Sequence, residues 1–282
     1  MAYYLSGFAD ESSDLFSGQV EALKRNGLQY LEIRNLDGLN VSKLSLSQAK
    51  EIRNILSGEG LGVWSIGSPI GKIQIHDDFA AHIDLYRHTL EVANTLQAEN
   101  IRLFSFFMPK DEAPENYRNL VLDRMARFTE IAKEFGVTPC HENEKGIYGD
   151  TAAHCEELHK NVPGLQAVFD PANFVQCHQD TLAAWEVLKP YVRYLHIKDA
   201  LPNGLVVPPG KGLGNIEAII KDYFAMGGQV LSLEPHLYEF VGLKSLEQEG
   251  EASVVGAMSF PDAPTAFDYA ANTLKTILEG IV

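Results

Sequence analysis

Residues 165–170, LQAVFD, and 192–199, VRYLHIKD, decide the fold of this chain. Each is a short run rich in β-branched and aromatic residues, and each ends on a charged or metal-competent side chain. A segment long enough for helix separates them, so the pair reads as two parallel strands joined by a right-handed crossover. The same kind of run recurs on either side: VTPCHEN at 137–143 and QVLSLEP at 229–235. Further towards the N-terminus lie YYLSGFAD at 3–10, YLEIRN at 30–35, GVWSIG at 62–67 and NIRLFSFF at 100–107.

Between these runs the apolar residues switch to helical spacing. Phe79, Ile83, Tyr86, Leu90, Ala93 and Leu96 step by three or four behind a start signal at Asp77–Asp78. Tyr117, Val121, Phe128, Ile131 and Phe135 do the same and stop at Gly136. Phe16, Val20 and Leu23 form a shorter stripe ending at Asn26–Gly27, and Phe267, Ala271, Leu274 and Leu278 form a last one behind Pro264. Eight strand–helix repeats in 282 residues predict an α/β fold, a single-domain (β/α)8 TIM barrel over residues 1–282. An open doubly wound sheet would call for a glycine-rich first turn, and GFADESSD at 7–14 has none.

Composition narrows the function classes. The chain is 45% hydrophobic and 22% charged, as a soluble globular protein is. Its net charge of −15 repels phosphate backbones and anionic membrane surfaces, so neither nucleic acid nor membrane is expected as a partner. No run reaches the roughly 18 apolar residues of a membrane span, and the N-terminus carries no signal-peptide pattern. Cys140, Cys155 and Cys177 are odd in number and include no CxxC pair, which points to reduced thiols and a cytoplasmic location.

In a barrel the carboxyl ends of the strands build the site. Four successive strands there present Glu142, Asp170, His196 and Glu234. Three carboxylates and an imidazole suit one divalent ion, Mn2+, Zn2+, Mg2+ or Co2+, with positions left for substrate oxygens. Taken singly, Asp170 before a proline also reads as a helix cap, His196 as a core histidine, and Glu142 as a partner for Lys145; the coincidence of four favours the metal. Lys198, two residues past His196, Lys211 and His236 are candidates for substrate oxygen or phosphate contacts, and Asn173 for a hydroxyl. Lys198 reads equally as an ion-pair partner of a site carboxylate, and His236 as a prop for Glu234. Glu32, Arg34, Trp64, Lys72 and Phe107 are candidate pocket residues. Three long connections, Ser68–Asp77, Ala200–Gly214 and His236 to about Asp262, fall on the same face; the last, with Gly242, Gly250 and Gly256, reads as a lid or subunit-contact loop.

The strings HENEKGIYGD at 141–150, FDPANF at 169–174, YLHIKDA at 194–200, PPGKG at 208–212 and LSLEPH at 231–236 resemble the sugar phosphate isomerase/epimerase family, the xylose isomerase-like TIM barrels. That resemblance covers nearly the whole chain. It implies metal ligands at Glu142, Asp170, His196 and Glu234, and catalysis by Glu142 and Glu234 on opposite faces of a small carbohydrate substrate. The implied reaction is isomerisation or epimerisation of a sugar, sugar acid or inosose through a metal-stabilised enediolate. The same intermediate can expel a hydroxyl, so a dehydratase is the alternative, with an endonuclease IV-like phosphoesterase a distant third. Two positions depart from the ketose 3-epimerases: Asn173 stands in place of a histidine and Tyr148 in place of a second glutamate. Relatives are often homo-oligomers, and a monomer is equally compatible with the sequence.

Overall fold

Each of the eight apolar runs forms a strand: β1 (Tyr4–Gly7), β2 (Tyr30–Ile33), β3 (Gly62–Ile66), β4 (Asn100–Leu103), β5 (Thr138–Glu142), β6 (Gln166–Phe169), β7 (Val192–Ile197) and β8 (Val230–Leu233). In this computed structural model, which describes residues 2–240 and 258–282, they close into one parallel barrel. Sequential strands are neighbours throughout, and Tyr4 opposite Val230 closes the ring between β1 and β8.

Nine helices surround the barrel among the described residues: α1 (Phe16–Arg25), α2 (Leu46–Gly58), α3 (Phe79–Leu96), α4 (Arg118–Phe135), α5 (Ala152–Asn161), α6 (Pro171–Gln176), α7 (Thr181–Leu188), α8 (Ile216–Ala225) and α9 (Ala263–Ile281). The expected stripes lie on α1, α3, α4 and α9, and their ends follow from local chemistry. Asp78 caps α3 by accepting hydrogen bonds from the amides of Ala80 and Ala81. Gly136 ends α4 in the left-handed region at φ 70°, where a side chain would be strained. None of the described helices is long and apolar enough to cross a membrane.

The main core lies between helices and barrel, where Leu23, Tyr86, Leu90, Phe128, Leu195 and Leu274 are buried together. Inside the barrel the filling changes along the axis. Cys140, Val168, Tyr194 and Val230 pack with Trp64, and above them the buried polar side chains of Glu32, Arg102, His196 and Ser232 begin. Cys140, Cys155 and Cys177 are not joined in disulfides.

Of the three long connections, Ser68–Asp77 docks on the segment after β4: Phe104 and Phe106 donate their amides to the carbonyls of Ile70 and Gly71. The second forms a two-stranded ribbon, Asp199–Ala200 with Val206–Val207. In the third, residues 236–240 are described; Gly242, Gly250 and Gly256, on which the lid expectation rests, lie outside the described residues.

Candidate metal centre

Strand ends deliver the four expected donors to one place. Glu142 is the last residue of β5, Asp170 follows β6, His196 sits near the end of β7, and Glu234 follows β8. Period-two alternation along β7 turns His196 inward together with Tyr194 below it and Lys198 above it. Asp170 is the helix cap that the sequence allowed, with one oxygen to spare. Its Oδ1 caps α6 by accepting from the Asn173 amide at 3.0 Å, which leaves Oδ2 for the cluster.

One atom from each of the four lies within 4.8 Å of the others. His196 Nδ1 is 3.0 Å from Glu142 Oε1, 3.1 Å from Glu234 Oε2 and 4.0 Å from Asp170 Oδ2. Ligands about 2.1 Å from a shared ion stand roughly 3–4 Å apart, so only a small contraction separates this set from a coordination sphere. The other ring nitrogen, Nε2, lies 3.2 Å from Glu32 Oε2. Glu32 is itself held by the hydroxyls of Ser232 and Tyr194. With an ion bound, a carboxylate behind the imidazole would select the tautomer whose lone pair points the other way, here to the side of the three acids. Glu142 Oε2 and Asp170 Oδ2 are buried and accept no hydrogen bond of good geometry from the described residues, so each depends on a cation beside it.

Side-chain cations also crowd the cluster, and Lys198 is among them as the ion-pair partner that the sequence allowed. Lys198 Nζ is 2.8 Å from Asp170 Oδ2 and 3.5 Å from Glu234 Oε2. Arg102 Nη1 lies 3.2 Å from Glu142 Oε2 and 3.6 Å from Glu234 Oε1. Arg34 donates from Nη1 to Glu234 Oε1 at 3.1 Å, while its Nε and Nη2 clasp Asp10 at 2.9 and 3.0 Å. The rings of Phe8 and Phe240 each lie 4.5 Å from that guanidinium. The metal reading therefore rests on geometry and donor chemistry, with charge balance shared.

These neighbours set the proton affinities. Burial works against ionising Glu142, but His196 and Arg102 outweigh it and hold the carboxyl at about 2. Glu234 is driven well below the usual range because Lys198 and His196 overcome the same burial. Asp170 goes the other way: burial raises it to about 6 in spite of Lys198. Burial disfavours a charged His196, yet Glu142, Glu32 and Glu234 override it and push the imidazole well above its ordinary value.

The other expected residues divide. Lys198 reaches the cluster as an ion-pair partner. His236 is there too, with Nε2 3.3 Å from Glu11 Oε1 and 3.5 Å from Glu234 Oε1. Its backbone is left-handed at φ 45°, and its amide donates to Glu11 Oε2 at 2.7 Å. Asn173 donates from Nδ2 to Asn143 O at 2.9 Å and to Glu142 Oε1 at 3.3 Å, so it braces a ligand candidate. Lys211 is not brought in: it is exposed and lines a groove of about 910 Å3 between its own loop, α8 and α9. Trp64 faces the opposite end of the barrel, beside Gln229 and Arg193. Tyr148 donates its hydroxyl to Glu157. Sequence reasoning missed Arg102 and Glu11. The visible signal for the first was a lone arginine inside the apolar run NIRLFSFF, where an unpaired charge would be costly.

Comparison with known proteins agrees with this architecture. No curated protein matches the chain in sequence. Among solved structures, L-ribulose 3-epimerase is 19% identical over 100% of this chain and 96% of its own, with a TM-score of 0.77. The IOLI protein with a bound zinc atom is 16% identical over 99% of both chains, TM-score 0.76. The probable 3-DHS dehydratase AsbF of Bacillus anthracis is 18% identical over 98% of this chain and 99% of its own, TM-score 0.73. At such identities the likeness is one of fold. A sequence profile described as xylose isomerase-like TIM barrel matches residues 20–254, and the chain belongs to that family.

Proposed function

We propose that the chain is a divalent-metal-dependent isomerase or epimerase of a small sugar, sugar acid or inosose. The observation that carries this reading is the convergence of four donors on a His196 whose far nitrogen is already held by Glu32. Glu142, Asp170, His196 and Glu234 would hold the ion, which when bound supplies Lewis-acid stabilisation of negative charge on adjacent substrate oxygens.

The chain's own residues supply the proton chemistry. Glu142 and Glu234 are both held in the ionised form by their cationic neighbours, the form that a general base requires. One removes the proton and the other returns one, which inverts a centre when they act from opposite faces. Arg34 and Arg102 fix their orientation. Lys198, whose proton is held by Asp170 and Glu234 against the pull of burial, donates to a substrate oxygen. Burial of all these groups keeps water from competing for the transferred proton.

Two measurements test the proposal. Metal analysis of purified protein is expected to find about one divalent ion per chain; less than a tenth of an equivalent, unrestored by added Mn2+ or Zn2+, rejects it. Proton NMR in D2O with ketoses, inososes and hydroxypyruvate is expected to show deuterium entering next to the carbonyl. A dehydrated product in its place would establish the dehydratase reading, to which the fold of AsbF lends support. A phosphoesterase with a histidine-rich three-metal cluster finds less support: among the described residues, the second group able to hold a metal is Glu11, Glu234 and His236, which shares Glu234 with the first.

A further inference from the structure

Arg102 is buried in a way its visible partners do not explain. Only 2% of it is exposed, and it projects from β4 between Phe8 and Phe104, whose ring centres lie 5.1 and 4.9 Å from the guanidinium carbon. A guanidinium carries five N–H donors in a rigid plane, and leaving them unmet away from water is costly. Nη1 faces Glu142 Oε2 at 3.2 Å. Nη2 has one long contact, 3.5 Å, to the carbonyl of Ser68. Nε has no partner. Contrast Arg34, whose Nε and Nη2 grip Asp10 side-on at 2.9 and 3.0 Å. The Nε–Nη2 edge is the side-on fork by which arginine takes a carboxylate with two parallel hydrogen bonds. On Arg34 a protein carboxylate fills that edge, and on Arg102 no carboxylate of the described residues does, the carbonyl of Ser68 being the one long contact there.

We propose that Arg102 receives a carboxylate of the substrate on its Nε–Nη2 edge, so that the substrate is a polyhydroxy or keto acid rather than a neutral sugar. This deepens the reading above, on which it rests, because Arg102 lies against the two glutamates assigned to proton transfer. The surroundings support a second positive contribution: Lys72, from the connection that includes Ser68, lies 4.4 Å from the Phe104 ring centre while pairing with Glu144 at 3.1 Å. A carboxylate suits the pocket better than a phosphate. It is planar, like the edge that receives it, and it brings one negative charge towards Glu142 where phosphate brings nearly two.

The test reads Arg102 directly. The side-chain Nε–H of Arg102 is followed by 15N–1H NMR in the Mg2+-loaded protein, assigned by its disappearance in Arg102→Lys, while three-carbon probes are added: D-glycerate, glycerol and glycerol 3-phosphate. Glycerate is expected to shift the resonance saturably, with glycerol leaving it in place and glycerol 3-phosphate moving it only at concentrations at least tenfold higher. Affinities measured by calorimetry are expected to favour glycerate over glycerol at least tenfold, and that preference is expected to drop severalfold in Arg102→Lys, in which metal chelation by the acid persists. No glycerate shift, a shift equal to that from glycerol, stronger binding of the phosphate, or an unchanged preference in the variant would each overturn the proposal. Metal content and deuterium exchange judge the isomerase reading separately, so the failure of one is distinguishable from the failure of the other.

Discussion

His196 carries more of the site than its single side chain suggests. It is the one nitrogen donor in the set, and Glu32 at 3.2 Å decides which of its nitrogens faces the acids. Glu32→Gln keeps the size and removes the charge, so metal affinity is expected to fall by about 10- to 100-fold. A competition titration with a zinc-sensitive dye measures it; wild-type affinity in that variant would reduce Glu32 to barrel filling. The two catalytic candidates make a different prediction. Glu234→Gln, assayed at saturating metal, is expected to lower deuterium exchange by about 100-fold or more. Exchange within a factor of three of wild type would remove Glu234 from proton transfer.

At the scale of the element, the connection after β3 places Lys72 and lets Ser68 meet Arg102, and Gly71 makes that placement feasible. Its φ is 89°, and a Cβ there would lie 1.9 Å from the carbonyl oxygen of Phe104. Relief requires the backbone after β4 to move. Gly71→Ala is therefore expected to cost about 3 kcal/mol or more, and to weaken acid binding at Arg102 along with stability. Urea denaturation gives the first quantity and calorimetry the second; a variant within 1 kcal/mol of wild type would show the loop to be more yielding than its packing implies. The ribbon after β7 is organised by an acid in a similar way. Asp199 accepts the amides of Gly212 and Gly214 at 2.9 and 2.8 Å, which folds PPGKG outward and carries Lys211 away from the centre.

For the molecule as a whole, pH is the informative variable. Burial lowers His82 to about 4, with Arg124 adding to the effect, and lowers His159 to about 4. Their ordinary value is 6.5, so between pH 6.5 and 4 the unfolded chain binds protons that the folded one excludes. Stability then falls as pH falls through that window, by about 1.4 kcal/mol per pH unit for each group at full slope. Denaturation at pH 7.5, 6.0 and 5.0 is expected to show the loss beginning above the carboxylate range, partly offset by Asp170, whose raised value acts in the opposite sense. His82→Asn is expected to make the loss shallower; a His82→Asn profile parallel to that of the wild type would contradict the burial of that ring. Metal acts globally as well. An ion at about 100 times its dissociation constant is expected to add about 2.7 kcal/mol, seen as a higher melting temperature that a chelator reverses.

Much of this was legible in the sequence because it depends on local repetition. Strand and helix periods mark the eight repeats, Asp78 and Gly136 end helices by chemistry within one turn, and the carboxyl end of each strand is a known place along the chain. Glu142, Asp170, His196 and Glu234 could be named together for that reason. The tertiary structure alone decided what surrounds them. Arg34 meets Asp10 and Glu234 across 24 and 200 residues of chain, Glu32 meets His196 across 164, and Arg102 stands over Glu142 from a neighbouring strand. Such meetings follow from how the strands tilt and close into a barrel, and no periodicity along one segment encodes which side chain from another will fill the space beside it.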